Sequence, residues 1–390
     1  MNNQILSDSS SRLIGQKMFQ ILAKAQELER QGRSILHFEI GDPDFSTDDR
    51  IVTAALEALK SGRTHYENSR GAVELLTKSA EVTERSRGFR PDLSQLLVTP
   101  GANIQIFLAL SCIANPGDEV IVPDPGFVSY DAIISYLGLC SVKVPVQEDN
   151  KFSVMADDIE SRIGKKTKAI IINSPGNPTG GITPQVELEK IYALAQKHNL
   201  FVLSDEIYAR INYNKKSKFF SIASIDKCQE RCIIINGLSK AYAMTGWRIG
   251  VLTAPTFLTA KMNLLLETLI SSVPGFIQLA AVKALSLEAD VSEKMIKEYE
   301  LRRDILVDGL NAIAGFSCLS PEGAFYAFPN ITKTGYSDVQ VADILLNQCG
   351  IAVVPGSYFG PNGSNHIRLS YVTGTEQIEE ALARMREYFS

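Results

Sequence analysis

Short apolar segments recur through the middle of the chain, and segments with helical periodicity separate most of them. Seven of these segments are hydrophobic at nearly every position and rich in β-branched residues: 96–99, 119–122, 140–144, 168–172, 200–203, 232–235 and 249–252. Helical patterns lie between several of them, at 104–114, 130–137 and 185–198. Continuous hydrophobicity is typical of strands buried on both faces. The pattern therefore predicts an α/β fold with a mainly parallel seven-stranded sheet covered by helices.

The segments on either side of this region predict further elements. The N-terminal part predicts a helix at 12–32, a strand at 35–40 and a helix at 49–61, with Ile51, Ala54, Leu56 and Leu59 facing inward. After Thr253 a long helical stretch reaches about residue 312, with an interruption at 272–275. Four short strands, at 316–319, 323–328, 351–354 and 366–371, and a closing helix from about 375 follow. We expect a large domain of residues 48–290 and a smaller α/β domain formed by 1–47 and 291–390.

Composition narrows the class of partner. The chain has 390 residues, 45% hydrophobic and 21% charged, with a net charge of −5 and no basic stripe, which argues against nucleic acid. No apolar run reaches the length of a membrane span, and the first eight residues lack the pattern of a secretion signal. The six cysteines are scattered without metal-site spacing, so we expect no metal and buried free thiols in a reducing compartment, the cytoplasm.

Polar or glycine-rich segments follow nearly every predicted strand. They are 100–103, 123–130, 173–180, 204–208 and 236–250. The carboxyl ends of parallel strands meet at one edge of a sheet, so these segments are expected to line a single crevice. Each segment alone has an ordinary interpretation, such as a turn, a helix cap or a core aromatic residue. Their occurrence at five strand ends favours a shared site that binds a small molecule.

The segment 236–250 carries the most specific chemistry. Lys240 is followed by Ala-Tyr-Ala-Met, and such apolar neighbours disfavour the ammonium form and lower a lysine pKa. Ser239 and Arg248 supply a hydroxyl donor and a forked cation, both suited to phosphate. An amine that can bond an aldehyde, beside a phosphate site, suggests pyridoxal 5′-phosphate (PLP). A surface lysine in a loop is the ordinary alternative. Neither a dinucleotide-binding glycine motif nor a P-loop follows any strand.

The same segment, Gly-Leu-Ser-Lys-Ala-Tyr-Ala-Met-Thr-Gly-Trp-Arg-Ile-Gly at 237–250, resembles the lysine signature of the class I/II aminotransferases, which are fold-type I PLP-dependent enzymes. The order and spacing of the other motifs agree, and the resemblance covers nearly the whole chain. It implies the fold-type I architecture and a ping-pong transfer of an amino group from an amino acid to a 2-oxo acid.

The resemblance also implies a role for each site residue. Lys240 would hold PLP as a Schiff base and carry a proton during transfer, and Asp205 would pair with the pyridine nitrogen. The other cofactor-binding residues would be Tyr208 and Asn177 at the phenolic oxygen, Phe127 stacked on the ring, and Ala102, Asn103, Ser239, Arg248 and a second subunit's Tyr66 at the phosphate. Gly41, Asn177 and Arg368 would bind the substrate, with Arg368 gripping its α-carboxylate. Such a site requires a homodimer with shared active sites.

Substrate choice is only weakly indicated. Similar enzymes for acidic substrates often carry a lysine at the position of Asn103 or an arginine in the region after the cofactor lysine. This chain has Asn103, and no arginine lies between Arg248 and Arg302. A neutral, aromatic or small aliphatic amino acid is therefore favoured. Arg70 is either a substitute reader of a distal carboxylate or a solvated charge. Carbon–sulfur lyase, decarboxylase and racemase chemistry on the same scaffold stay open, as does a PLP-sensing domain without turnover.

Overall fold

The computed structural model describes residues 6–213 and 219–389, without the side chains of 288 and 289. Residues 1–5 and 390 of the expected small domain lie outside the described residues. Seven strands form the main sheet: β1 Leu96–Thr99, β2 Glu119–Asp124, β3 Cys140–Pro145, β4 Thr167–Asn173, β5 Phe201–Asp205, β6 Cys232–Ile235 and β7 Gly250–Thr253. Each lies within two residues of its predicted position. The prediction of a seven-stranded sheet is confirmed.

The strand order is β1-β7-β6-β5-β4-β2-β3, and only β7 runs antiparallel to its neighbours. The carboxyl ends of the parallel strands therefore share one edge. The loop 236–249 joins β6 to the antiparallel β7, so it turns back at that same edge. This connection places Lys240 at the crevice that the sequence predicts.

Helices cover both faces of the sheet. In the described ranges, the α-helices are Asp8–Ser11, Met18–Arg30, Asp49–Lys60, Val73–Arg87, Asn103–Ile113, Ser129–Tyr136, Ala156–Glu160, Gln185–Lys197, Ala223–Asp226, Thr256–Ile270, Gly275–Ser286, Glu288–Asn311, Asp338–Ile344 and Thr375–Phe389. Apolar residues of Asn103–Ile113 and Thr256–Ile270 pack against one face, and those of Gln185–Lys197 pack against the other. This coverage explains why the central strands are hydrophobic on both sides.

A second group of elements packs around a separate apolar core. It contains the short strands Leu36–His37, Tyr326–Ala327, Ile351–Ala352, Val354–Pro355 and Ile367–Ser370. Ile367–Ser370 lies between Val354–Pro355 and Tyr326–Ala327 in an antiparallel sheet, while Leu36–His37 pairs in parallel with Ile351–Ala352. The predicted strands 35–40 and 323–328 are thus shorter than expected, and 316–319 contributes only one bridge, from Ser317 to Asn330.

Three details of the sequence-based prediction are wrong. The helix expected from residue 12 begins at Met18, and Leu13 is 65% exposed. In Asp49–Lys60 the buried positions are Ile51, Ala55 and Ala58, whereas Leu56 is 51% exposed. The small alanines allow close packing next to Ile51, whereas Leu56 and Leu59 point outward. Cys140 is exposed, because it begins a strand at the sheet edge.

No helix within the described ranges is both long and apolar enough to cross a membrane.

Candidate active site

A cavity of about 280 Å³ opens at the carboxyl edge of the parallel strands. All the predicted site residues except Tyr66 line it: Gly41, Ala102, Asn103, Phe127, Asn177, Asp205, Tyr208, Ser239, Lys240, Arg248 and Arg368. They come from the end of β5, from segments that follow β1, β2, β4, β5 and β6, from the segment after the strand Leu36–His37, and from the strand Ile367–Ser370 of the second core. The structure therefore brings together groups that are far apart in the sequence.

Lys240 lines the cavity and is its candidate reactive amine. Its Nζ donates a hydrogen bond of 2.6 Å to the carbonyl oxygen of Gly41. Burial lowers the pKa of Lys240 to about 8; the carboxylate of Asp42 opposes this shift, and the guanidinium groups of Arg368 and Arg248 add to it. A substantial fraction of the side chain is therefore a neutral amine near neutral pH, the form that attacks a carbonyl carbon.

Asp205 occupies the carboxyl end of β5 and is buried. Burial raises its pKa to about 6, although the Tyr130 hydroxyl donates a 2.6 Å hydrogen bond to Oδ2 and the Ile207 N–H donates to Oδ1. Above that pH the carboxylate is charged in a site with little water. A buried carboxylate of this kind is suited to a cationic ligand group.

Arg368 is 1% exposed, and its guanidinium lies between the rings of Tyr326 and Phe359, 4.7 and 4.9 Å from their centroids. Nη1 donates to Asn177 Oδ1 at 3.2 Å, and Nη2 donates to the Glu39 carbonyl oxygen. Among the described residues, Nε has no hydrogen-bond partner. A planar cation held between two rings, with a donor to spare, can bind a carboxylate in a fixed orientation.

Another part of the cavity wall contains donors suited to an anion. Arg248 has a positive φ of 52°, and its side chain packs against Gly101, where an added Cβ would lie 2.4 Å from Nη2. A Cβ at 101 would displace the guanidinium, and the φ of 84° at Gly101 also favours glycine there. Ser239 and the first residues of the helix Asn103–Ile113 line the same cavity, and the exposed N–H groups of a helix N-terminus attract anions.

Aromatic side chains line the remaining walls. Phe127 packs edge to face on Tyr130, and the hydroxyls of Tyr208 and Tyr326 are 2.7 Å apart. A Cβ at Gly41 would lie 2.1 Å from the Tyr326 hydroxyl, so glycine at this position lets that ring approach the cavity.

Tyr66 and Arg70 lie away from this cavity. Tyr66 is 88% exposed, and Arg70 lines a separate depression with residues 67–74, Leu93 and Asn263. In the single chain, neither side chain lines the cavity that contains Lys240.

Sequence reasoning assigned no role to Tyr130, Tyr326, Met18 or Phe19. Tyr130 lies in the first turn of a helix and Tyr326 in a two-residue strand, so neither stands at the end of a main-sheet strand. Met18 and Phe19 begin an amphipathic helix and resemble ordinary core residues in the sequence. Asn173 also lines the cavity, and the strand-end rule that found Asp205 does indicate it.

Comparison with known proteins decides the family. Residues 33–385 match the family described as "Aminotransferase class I and II". The chain belongs to this family. The aminotransferase is 39% identical over 369 residues to "Aromatic-amino-acid aminotransferase 2" of Thermococcus litoralis, which covers 94% of each chain. It is 40% identical over 358 residues to an aspartate aminotransferase of Pyrococcus abyssi, covering 91% of this chain and 92% of that protein.

A solved structure, aspartate aminotransferase from Thermus thermophilus with maleate, has a TM-score of 0.93 to this aminotransferase and 34% identity, covering 98% and 99% of the two chains. The names of these relatives differ in substrate. The enzyme is therefore a PLP-dependent amino-acid aminotransferase with the family's α/β fold, and the comparisons leave its substrate preference open.

The cavity fits PLP by the chemistry of its groups. It contains a buried amine with a lowered pKa, a buried carboxylate able to pair with a cationic ring nitrogen, and an anion-binding corner that holds Arg248. These groups match the aldehyde, the pyridine nitrogen and the phosphate of PLP.

Proposed function

We propose that this aminotransferase acts on neutral amino acids with apolar or aromatic side chains, by a ping-pong exchange with 2-oxo acids. The observation that carries this proposal is the apolar part of the cavity wall, formed by Met18, Phe19, Ile40 and Ile207. Apolar side chains gain free energy from leaving water for such a wall.

The placement of the cations also favours a neutral side chain. Lys240, Arg248 and Arg368 are the basic residues that line the cavity in the described part of the chain. If Arg248 binds phosphate and Arg368 binds the α-carboxylate, no lining cation is left for a second carboxylate. Asn103 lines the wall with a neutral amide.

We propose the following roles in cofactor binding. Lys240 bonds the cofactor aldehyde, Asp205 pairs with the ring nitrogen, and Phe127 stacks on the ring. Tyr208 and Asn177 bind the phenolic oxygen. Ser239, Arg248 and the amides of Ala102 and Asn103 bind the phosphate. When bound, PLP supplies a sink for the electrons released when a bond to Cα breaks.

The side chains act on the substrate in turn. Arg368 binds the α-carboxylate and thereby fixes the orientation of Cα, while Gly41 and Asn177 complete this part of the site. The substrate amine would replace Lys240 on the cofactor aldehyde, and the released Lys240 amine, with its lowered pKa, would take the proton from Cα and return it later in the reaction.

A panel of amino donors tests the substrate class. We expect kcat/KM for phenylalanine, tyrosine, leucine and methionine, with 2-oxoglutarate as acceptor, to exceed that for aspartate by at least about tenfold, because one unpaired buried charge costs more than about 1.4 kcal/mol. Aspartate as the best donor would contradict the proposed substrate class. The variant Phe19→Ser tests the apolar wall directly. It should lower kcat/KM for the aromatic donors more than kcat/KM for alanine.

We also propose a homodimer in which Tyr66 of each chain completes the partner's site. The loop around Tyr66 is held against the helix Thr256–Ile270 by an Asn263 to Ser69 hydrogen bond. That helix exposes Phe257, Leu264, Leu269 and Ile270. An exposed tyrosine beside an apolar surface suits an interface.

Subunit complementation tests the shared site. Tyr66→Ala and Lys240→Ala are each expected to lower activity strongly. When the two variants are mixed, unfolded and refolded together, half of the dimers contain one chain of each kind. Each of these mixed dimers has one intact site of two, so the mixture should regain roughly a quarter of wild-type activity. No recovery in mixed dimers would contradict the shared site.

Two further proposals concern organisation. We propose that residues 48–290 form the large domain and 1–47 with 291–390 the small one, because the second apolar core is built mainly from the chain's two ends, with Tyr208, Ile211 and Tyr213 added from the middle. We propose a cytoplasmic location, which the six free cysteines support.

A further inference from the structure

An ion pair between a buried carboxylate and a partly exposed histidine lies next to the active site, outside the cavity lining. Glu39 is 0% exposed, and its Oε1 lies 2.8 Å from His37 Nδ1. The other ring nitrogen of His37, Nε2, lies 3.1 Å from Glu29 Oε1 on the helix Met18–Arg30. Glu39 Oε2 has no hydrogen-bond partner among the described residues.

A buried carboxylate requires a nearby cation, and His37 supplies it. The hydrogen bond to Glu39 raises the pKa of His37 to about 9, so the imidazole is charged at neutral pH. The imidazolium of His37 thus contacts two carboxylates. Glu39 contacts it from the buried side and Glu29 from the exposed side.

The backbone around Glu39 holds the catalytic groups. The Glu39 carbonyl accepts a hydrogen bond from Arg368 Nη2, and the Gly41 carbonyl accepts one from Lys240 Nζ. The Phe38 carbonyl accepts from the Ser370 N–H at 2.8 Å, which ties the same segment to the strand of Arg368. A shift of the Glu39 carbonyl would therefore move an acceptor of Arg368.

We propose that His37 and Glu39 are positioning residues for Arg368, and that their ion pair fixes the carbonyl that orients the guanidinium toward the substrate carboxylate. This inference rests on the proposed role of Arg368 in binding that carboxylate. It assigns to the pair an effect on carboxylate binding beyond any effect on stability.

His37→Leu and Glu39→Gln test the inference in the holoenzyme. We expect each variant to raise KM for both the amino acid and the 2-oxo acid about tenfold, with kcat within about threefold of wild type, because binding is lost while the reacting groups are kept. His37→Lys retains a cation and should restore most of the loss. Glu29→Gln is the matched control, because it removes only the exposed carboxylate that contacts His37. It should leave KM unchanged.

A pair of unreactive ligands separates positioning from general destabilisation. Isothermal titration calorimetry should show about tenfold weaker binding of 3-phenylpropionate to the two variants and unchanged binding of 3-phenylpropan-1-ol, which lacks the carboxylate. If His37→Leu does not fold, Glu39→Gln decides, because it keeps the shape of the side chain.

The outcomes are distinct. Variants that match the active wild type in KM and in 3-phenylpropionate affinity overturn this inference and leave the proposed function standing. Equal weakening of both ligands also overturns it, since the loss would not concern the carboxylate. A wild-type enzyme that transfers no amino group overturns the proposed function, and this inference with it.

Discussion

Replacing Asp205 with asparagine should stabilise the cofactor-free protein while removing its activity. Burial raises the pKa of Asp205 from an ordinary value of 3.8 to about 6. The folded state therefore binds the proton more tightly than the unfolded chain, so stability falls as pH rises through this range and the full cost is present above it. A shift of about two units corresponds to ~3 kcal/mol at pH 7.5. The amide oxygen of the new side chain can accept from the Ile207 N–H and its NH2 group can donate to the Tyr130 hydroxyl, so the substitution removes the charge and keeps both contacts.

The assay is urea unfolding of protein stripped of cofactor. We expect Asp205→Asn to raise the free energy of unfolding by ~3 kcal/mol at pH 7.5 and by only about 1 kcal/mol at pH 4.5, where much of the cost is absent from wild type. Asp149→Asn, at an exposed position, is the control and should have no effect at either pH. A variant no more stable than wild type at pH 7.5, or a gain independent of pH, would refute the reasoning. The expected gain in stability means that the charge of Asp205 serves ligand binding and lowers the stability of the fold.

Three other changes test single groups. Reductive methylation of Lys240 in the cofactor-free protein, followed by mass spectrometry, should show a rate whose pH dependence has its midpoint near pH 8. At pH 7.5 roughly a quarter of the amine is then neutral, compared with about 0.1% for a lysine with the ordinary pKa of 10.5. A midpoint above pH 10 would contradict this. Arg368→Lys should raise KM for the amino donor about 10- to 100-fold, since a single ammonium replaces two parallel donors, and steady-state kinetics with an unchanged KM would count against the role of Arg368. Tyr130→Phe removes a hydrogen bond to the Asp205 carboxylate and should raise the Asp205 pKa by about one to two units; the pH dependence of unfolding reports this shift, and an unchanged profile would exclude the contact as a determinant.

The main sheet follows from the sequence because its strands are buried on both faces. In runs such as 168–172 nearly every residue is apolar, because neither face of the strand is exposed. This pattern differs clearly from the helical spacing of apolar residues in the segments between the strands. The smaller sheet is harder to predict. Strands of two residues, such as Tyr326–Ala327, are too short to show any period, and only their pairing with Ile367–Ser370 defines them.

The strand-end rule indicates the position of some cavity residues, and tertiary packing decides the position of others. Asp205 and Lys240 follow strand ends, so the topology places them at the crevice. Tyr326 reaches the cavity because Gly41 leaves room for its ring, a relation between residues near opposite ends of the chain. The pair of His37 and Glu39 gave no signal either, because a buried charge is evident only once its surroundings are known.

The most direct test of the account is a half-reaction with one 15N-labelled amino acid and no acceptor. Amino transfer by a ping-pong route predicts about one equivalent of 2-oxo acid per active site and then no further turnover, until an added 2-oxo acid removes the label as a new amino acid. Continued turnover without an acceptor, with release of ammonia, carbon dioxide or the opposite enantiomer, would contradict the account.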